Sequence, residues 1–256
     1  MEIESRDKTG RRSNRWRVYR PRRNRGFLLA LTFAFIVCLV LWGRGFGGKS
    51  SEIDFTEELN ISSSTLEGTS FFSRVSSTDL ILHFPADFSE IIAVGFHQAS
   101  DPKAHSLEPI GHCFVDEATQ TVSETISKSK FPVLFVMNTR GRGGSSTSAA
   151  DVAVKPGTLI RSPVDGVVTK IETYYLYGKN PDYHVEIEPR GHPELRVAMI
   201  HLDELEVKVG SSVKHEQTVV GKIRRLSRLK SQINRYLPEH YDHVHIQVNP
   251  YEPEEE

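Results

Sequence analysis

From Asp79 onward, apolar residues come in short runs punctuated by Gly, Pro, Asn or Asp: "DLILHF", "EIIAVGFH", "FPVLFVM", "TLIRSPV", "GVVTKIETYYLY", "YHVEIEP", "LRVAMIHL", "LEVKVG", "TVVGKI" and "HVHIQV". Val, Ile, Tyr and Phe dominate them. Many short strands with turn signals between predict a mainly β domain, a sandwich or a barrel. One stretch has a different period. In "KIRRLSRLKSQINRYL" the residues Ile223, Leu226, Leu229, Ile233 and Leu237 recur at helical spacing, which predicts one short helix inserted before the last strand. In "DHVHIQV" the alternation places His243, His245 and Gln247 on one face, and Val244, Ile246 and Val248 on the other. Such a face is either simply wet or one arm of a metal site.

The N-terminal part breaks this pattern. "GFLLALTFAFIVCLVLW", Gly26 to Trp42, holds seventeen residues without a charge, enough for a single spanning helix. Residues 1–25 carry ten Lys or Arg against three acids, a net of +7, so the remainder of a chain whose formal net charge is -1 carries -8. A basic cluster on one side of the span predicts a cytoplasmic N-terminus and an extracellular or periplasmic C-terminal domain, with the chain single-pass in the cell membrane. A cleaved signal peptide is the competing reading, but "GRGFGGKSS" lacks a small-x-small cleavage site. The basic head also fits a nucleic-acid tail. Membrane topology and anionic lipid explain it more simply, and no nucleic-acid partner is expected.

The organisation expected is therefore a basic cytoplasmic head (1–25), a transmembrane anchor (26–43), a flexible Ser-, Gly- and acid-rich stalk (44–75), a divergent segment (76–146) that adds strands, a β core (147–250) and an acidic tail (251–256). Cys38 and Cys113 supply no disulfide framework.

Three blocks carry chemistry in a fixed order: "DVAVKPGTLIRSPVDGVVTKI" from Asp151, "LRVAMIHLDELEVKVGSSVKHEQTVVGKI", and "DHVHIQV". Together, over roughly Thr147 to Val248, they resemble the lysostaphin/LytM-type zinc endopeptidases of bacterial cell walls. The Gly-Thr…Pro-x-Asp-Gly-Val-Val block and the terminal His-x-His are the most specific parts. The resemblance implies a LytM-like antiparallel β core, zinc held by Asp151 and His245, and His201 and His243 acting on the water and the scissile carbonyl. The family's first ligand histidine falls on Thr147, and a hydroxyl is a poor substitute for imidazole. "HQASD", His97 to Asp101, repeats the family's His-x-x-x-Asp spacing. His97 is accordingly a candidate third ligand, folding back from upstream. His83, His105, His112, His184, His192, His215 and His240 read as solvated or locally hydrogen-bonded. The Gly- and Ser-rich "TRGRGGSSTSAAD", Thr139 to Asp151, reads as a loop on the scaffold.

The expectation is a membrane-anchored metallopeptidase-like protein whose partners are peptidoglycan or its peptide stems. It is a zinc endopeptidase if the metal site is complete, and otherwise a non-catalytic module that binds wall or tunes another hydrolase. A hammerhead-type membrane-fusion adaptor is the third reading, but it needs long helical hairpins and leaves "HVHIQV" unexplained. Protein partners are not legible.

Overall fold

The computed structural model describes residues 70–111, 114–115, 119–226 and 229–252. The expected head, anchor and nearly all of the stalk lie outside the described residues. Among those described, no helix is long and apolar enough to cross a membrane.

The chain forms β1 (Phe71–Val75), β2 (Ile81–His83), β3 (Ile91–His97), β4 (Leu107–Pro109), β5 (Phe114–Val115), α1 (Thr119–Lys128) and β6 (Val133–Val136). It continues as β7 (Ala149–Val154), β8 (Leu159–Arg161), β9 (Gly166–Leu176), β10 (Asn180–Pro189), β11 (Leu195–Asp203), β12 (Ser212–Val213), β13 (Val219–Ile223) and β14 (Asp242–Pro250). The main sheet runs β12-β9-β10-β11-β14-β7-β3-β6-β5, with β13 joining β11 to β8, and β2-β1-β4 forms a small second sheet. Most pairings are antiparallel, but β3–β6 and β5–β6 are parallel, so the sheet is mixed rather than purely antiparallel.

The period-two pattern explains the layering. On β14, Val244, Ile246 and Val248 enter the large apolar cluster, together with Ala150, Val152 and Val154 of β7 and Val94 and Phe96 of β3. Full burial of such side chains stabilises the fold by roughly 1.5–3 kcal/mol each. The opposite face of the same three strands carries His243, His245, Asp151 and His97. Glycine opens the way for one sheet neighbour. A Cβ on Gly166, the Gly of "SPVDGVV", would lie 2.1 Å from the Glu188 carbonyl oxygen across the β9–β10 pair.

Three expectations fail. The helix predicted over "KIRRLSRLKSQINRYL" is absent: β13 runs to Ile223, and among the described residues that follow only Ile233–Arg235 forms a 3-10 turn. The Leu226 N–H, which such a helix would use internally, is taken by Asp242 Oδ1 (2.8 Å), and the Arg224 N–H extends the sheet to the His201 carbonyl (3.0 Å). Ile233, Tyr236 and Leu237 instead pack on Phe135, Met137, Ala153 and Val122, so tertiary burial overrides local periodicity. The helix that does form, α1, lies in the segment expected to add only strands; its Ser and Thr residues are weak helix formers, and burial of Val122 and packing of Ile126 hold it. Finally, residues 71–75, read as the end of the stalk, form β1 and bury Phe72 and Val75.

Candidate metal centre

Strands β3, β7 and β14 lie side by side, and their register brings the candidate residues together. His245 pairs with Asp151 across β14–β7, while Gly95 faces Asp151 and His97 faces Ala149 across β3–β7. Thr147, at the position where the resembling family has its first histidine, lies just before β7 and meets Ser145 instead. The imidazole comes from the neighbouring strand.

Hydrogen bonds fix how these rings point. His97 Nδ1 lies 2.8 Å from the Gln98 carbonyl oxygen, which can only accept, so Nδ1 carries the proton. In the neutral ring Nε2 is then a bare lone pair, and it sits 2.9 Å from Asp151 Oδ1. His245 shows the mirror arrangement: Nε2 donates to Gln247 Oε1 (3.0 Å), leaving Nδ1 2.9 Å from the same Oδ1. Three acceptor atoms therefore converge, all within 4.8 Å of one another. Two imidazole lone pairs and a carboxylate oxygen repel at this range unless positive charge sits among them, whether protons on the rings or a metal ion. Two imidazole nitrogens and a carboxylate oxygen are a normal zinc donor set, and Gln98 and Gln247 are the outer partners that orient such ligands. Burial alone would raise the Asp151 carboxyl, but His97, His243 and His245 around it hold it well below the usual carboxylate range.

His243 Nε2 lies 3.6 Å from Asp151 Oδ2. Burial pushes its pKa down to about 3, against the attraction of Asp151, so the ring is neutral. His201 arrives by a different device. Tyr183 pairs with Leu202 and His184 with Ile200, which leaves His201 as the extra residue of a β-bulge, at φ 69°. Before the bulge Val197 and Met199 face the apolar core; after it Leu202 does, and His201 turns toward the site. Its ring centroid is 4.9 Å from that of His243 and 6.5 Å from that of His245. A left-handed non-glycine residue at a cluster of polar side chains is the kind of strain that collects at functional sites.

Sequence reasoning missed the support behind His201. Its Nδ1 donates to Asp182 Oδ2 (2.7 Å), which also accepts from Tyr174 OH (2.7 Å), while Asp182 Oδ1 accepts the Tyr183 N–H (2.9 Å) and faces Arg224 Nε at 3.3 Å. Asp182 is fully buried. Burial raises its carboxyl, but His201 and the other donors more than offset this and lower it. Nothing in the polar stretch "GKNPDYH" distinguishes this aspartate from a turn residue. His184 was also read as solvated, yet it lines the same cavity; its Nε2 is buried and 3.3 Å from Glu186 Oε1 without hydrogen-bond alignment. Away from the site, His83 and His215 stack at 3.8 Å beside Glu216.

Asp151, His184, His201, His243 and His245 line a cavity of about 440 Å³. Solved structures offer a comparison for the fold that holds it. The catalytic domain of the prophage-encoded M23 protein EnpA from Enterococcus faecalis is 21% identical over 46% of this chain and 79% of that one, with a TM-score of 0.32. The chain is similar to solved M23 proteins. Lysostaphin is 20% identical over 46% of this chain and 44% of its own, at a TM-score of 0.33. The SpoIIQ–SpoIIIAH pore-forming complex contains a chain 20% identical over 65% of this one and 82% of that one, at 0.35. No protein-family model and no curated relative matches the sequence. At TM-scores this low, the chemistry of the centre rests on its own residues.

Proposed function

We propose that the described domain is a zinc-dependent, LytM-type peptidase that cuts peptide cross-links of the cell wall, and that residues 26–42 hold it at the outer face of the membrane. The observation that carries this reading is the convergence of three bare acceptor atoms, His97 Nε2, Asp151 Oδ1 and His245 Nδ1, the last two on residues that line the cavity. His97, Asp151 and His245 would hold the metal. Bound there, zinc would acidify a water and polarise the scissile carbonyl. His243, neutral and adjacent, takes the proton from the attacking water. His201, kept in one orientation by its Nδ1–H bond to Asp182, would donate from Nε2 to the carbonyl oxygen in its doubly protonated form, as charge develops there. The uncharged run at 26–42 and the basic residues before it support the anchor and the exported orientation.

The test is metal content and hydrolysis by the purified full chain. About one zinc per chain is expected, lost in His97→Ala and in His245→Ala but kept in Thr147→Ala, together with release of peptide fragments from peptidoglycan. A chain that takes up no zinc when supplied with it overturns the peptidase. One observation favours a second reading: the contacts to Asp151 Oδ1 also close if both imidazoles are protonated, giving a metal-free module that binds wall without cutting it. Wall binding by a zinc-free chain identifies that case.

A further inference from the structure

Resting on the reading of this cavity as a peptide site, we infer that the loop carrying Arg140 and Arg142 forms an anion subsite that selects peptides bearing a side-chain carboxylate near the bond presented to the centre.

The loop is built, not merely present. Gln98, the neighbour of His97, gathers it with a single side chain. Its Oε1 accepts Thr139 Oγ1–H (2.7 Å), Arg140 N–H (2.9 Å) and Arg142 N–H (3.2 Å), and its Nε2 donates to the Gly144 carbonyl (2.8 Å). The strand that supplies one candidate ligand thus also fixes where both guanidinium groups stand. Arg140 Nε donates to Gln232 Oε1, whose own amide donates to the Asn138 carbonyl. Arg142 Nη1 donates to Ser100 Oγ at 3.0 Å. Among the described residues neither arginine forms an ion pair, and both line the cavity.

The charge balance of that lining is one-sided. Arg140, Arg142 and Lys230 are its cations, and Arg142 and Lys230 are exposed. Its two carboxylates, Asp151 and Asp242, are 2% and 6% exposed. Asp151 is enclosed by imidazoles, and Asp242 Oδ1 accepts the Leu226 N–H at 2.8 Å. A ligand entering the cavity therefore meets positive charge. Arg140 is half-buried, and burial lowers its pKa against the opposing charge of Asp151. An arginine stays charged under such pressure, and among the described residues this partly desolvated guanidinium has Gln232 as a hydrogen-bond partner but no ionic one. Its planar fork of free Nη donors suits a carboxylate held bidentately.

The experiment compares two blocked peptides, acetyl-Ala-Glu-Ala amide and acetyl-Ala-Gln-Ala amide, binding to the full chain. Titrations are run with chelator present, so that ligation of the carboxylate by a metal cannot contribute. The glutamate peptide should bind about tenfold more tightly, as a charge-assisted contact predicts, and the ratio should shrink with added salt. Arg140→Gln with Arg142→Gln should bring the ratio near one, whereas Arg140→Lys should keep most of it. Equal affinities in the parent chain, no binding of either peptide, or an unchanged ratio in the double variant overturns the subsite. Zinc uptake measured on the same preparation before chelator is added separates the two proposals. A chain that takes up no zinc yet shows the ratio sinks the peptidase and leaves the subsite, and a zinc-binding chain without the ratio does the reverse.

Discussion

Replacing Asp182 by Asn removes one charge and almost no volume, which makes the consequence calculable from the contacts. Oδ2 serves His201 and Tyr174, and Oδ1 serves the Tyr183 N–H and faces Arg224. An asparagine has one acceptor oxygen. Turned one way, the NH2 group strands the Tyr183 N–H and faces Arg224, whose Nε donates to the Leu202 carbonyl (3.0 Å). Turned the other way, it meets His201 Nδ1–H and a Tyr174 hydroxyl that can rotate to accept. One buried donor left unsatisfied costs about 1–3 kcal/mol and the charge opposite Arg224 is lost as well, so the substitution should destabilise the domain by about 2–4 kcal/mol. For a domain of this size that corresponds to a melting point lower by about 10 °C. The chemistry should suffer separately, because His201 Nδ1 loses the carboxylate that orients its ring. Thermal unfolding of the full chain measures the first effect. Hydrolysis assayed well below the new melting point measures the second, and a fall in kcat larger than the rise in KM is expected. A melting point within about 2 °C of the parent would refute the count of stranded donors.

Gly166→Ala should cost more stability than Gly157→Ala. The first drives a Cβ to 2.1 Å from the Glu188 carbonyl, whereas the second makes only an ordinary contact with Lys222 Cε at 3.9 Å and suffers its left-handed φ of 82°, about 1–2 kcal/mol; paired melting curves decide the order. Acidification should weaken the fold through His83. Burial first, then the charge of His215 stacked on it, lower its pKa below 6.5, although Glu216 and Asp165 act in the opposite sense. The unfolded chain then binds protons more readily near that pH. The stability is present above pH 6.5 and is lost as pH falls toward the folded value. Melting points across about pH 8 to 5.5 should show a slope that flattens in His83→Gln.

What was legible in the sequence follows from local period. The alternation of "DHVHIQV" placed His243, His245 and Gln247 opposite Val244, Ile246 and Val248, as the layering shows. The order of motifs marked Asp151 and His201. What local period does not encode is which strand lies beside which. His97 reaches Asp151 because β3 pairs with β7, and the spacing "HQASD" offered only its chemistry, pointing at Asp101 rather than Asp151. His201 is harder still, since the bulge reverses the inward and outward parity that the alternation predicts. Asp182 left no signal, because a lone acid beside proline reads as a turn. The misplaced helix shows the opposite failure. The spacing of Leu226, Ile233 and Leu237 is real, but those side chains are buried as separate anchors of an irregular strap.

The acceptors around Asp151 come from positions 54 and 94 residues away along the polypeptide. No short stretch of the described chain supplies His97, Asp151 and His245 together. The coordinating geometry comes into being only when three non-sequential strands have closed on one another, among the slower events available to a β protein. On the reading proposed above, the chain would meet its metal only once it has a shape in which to use it.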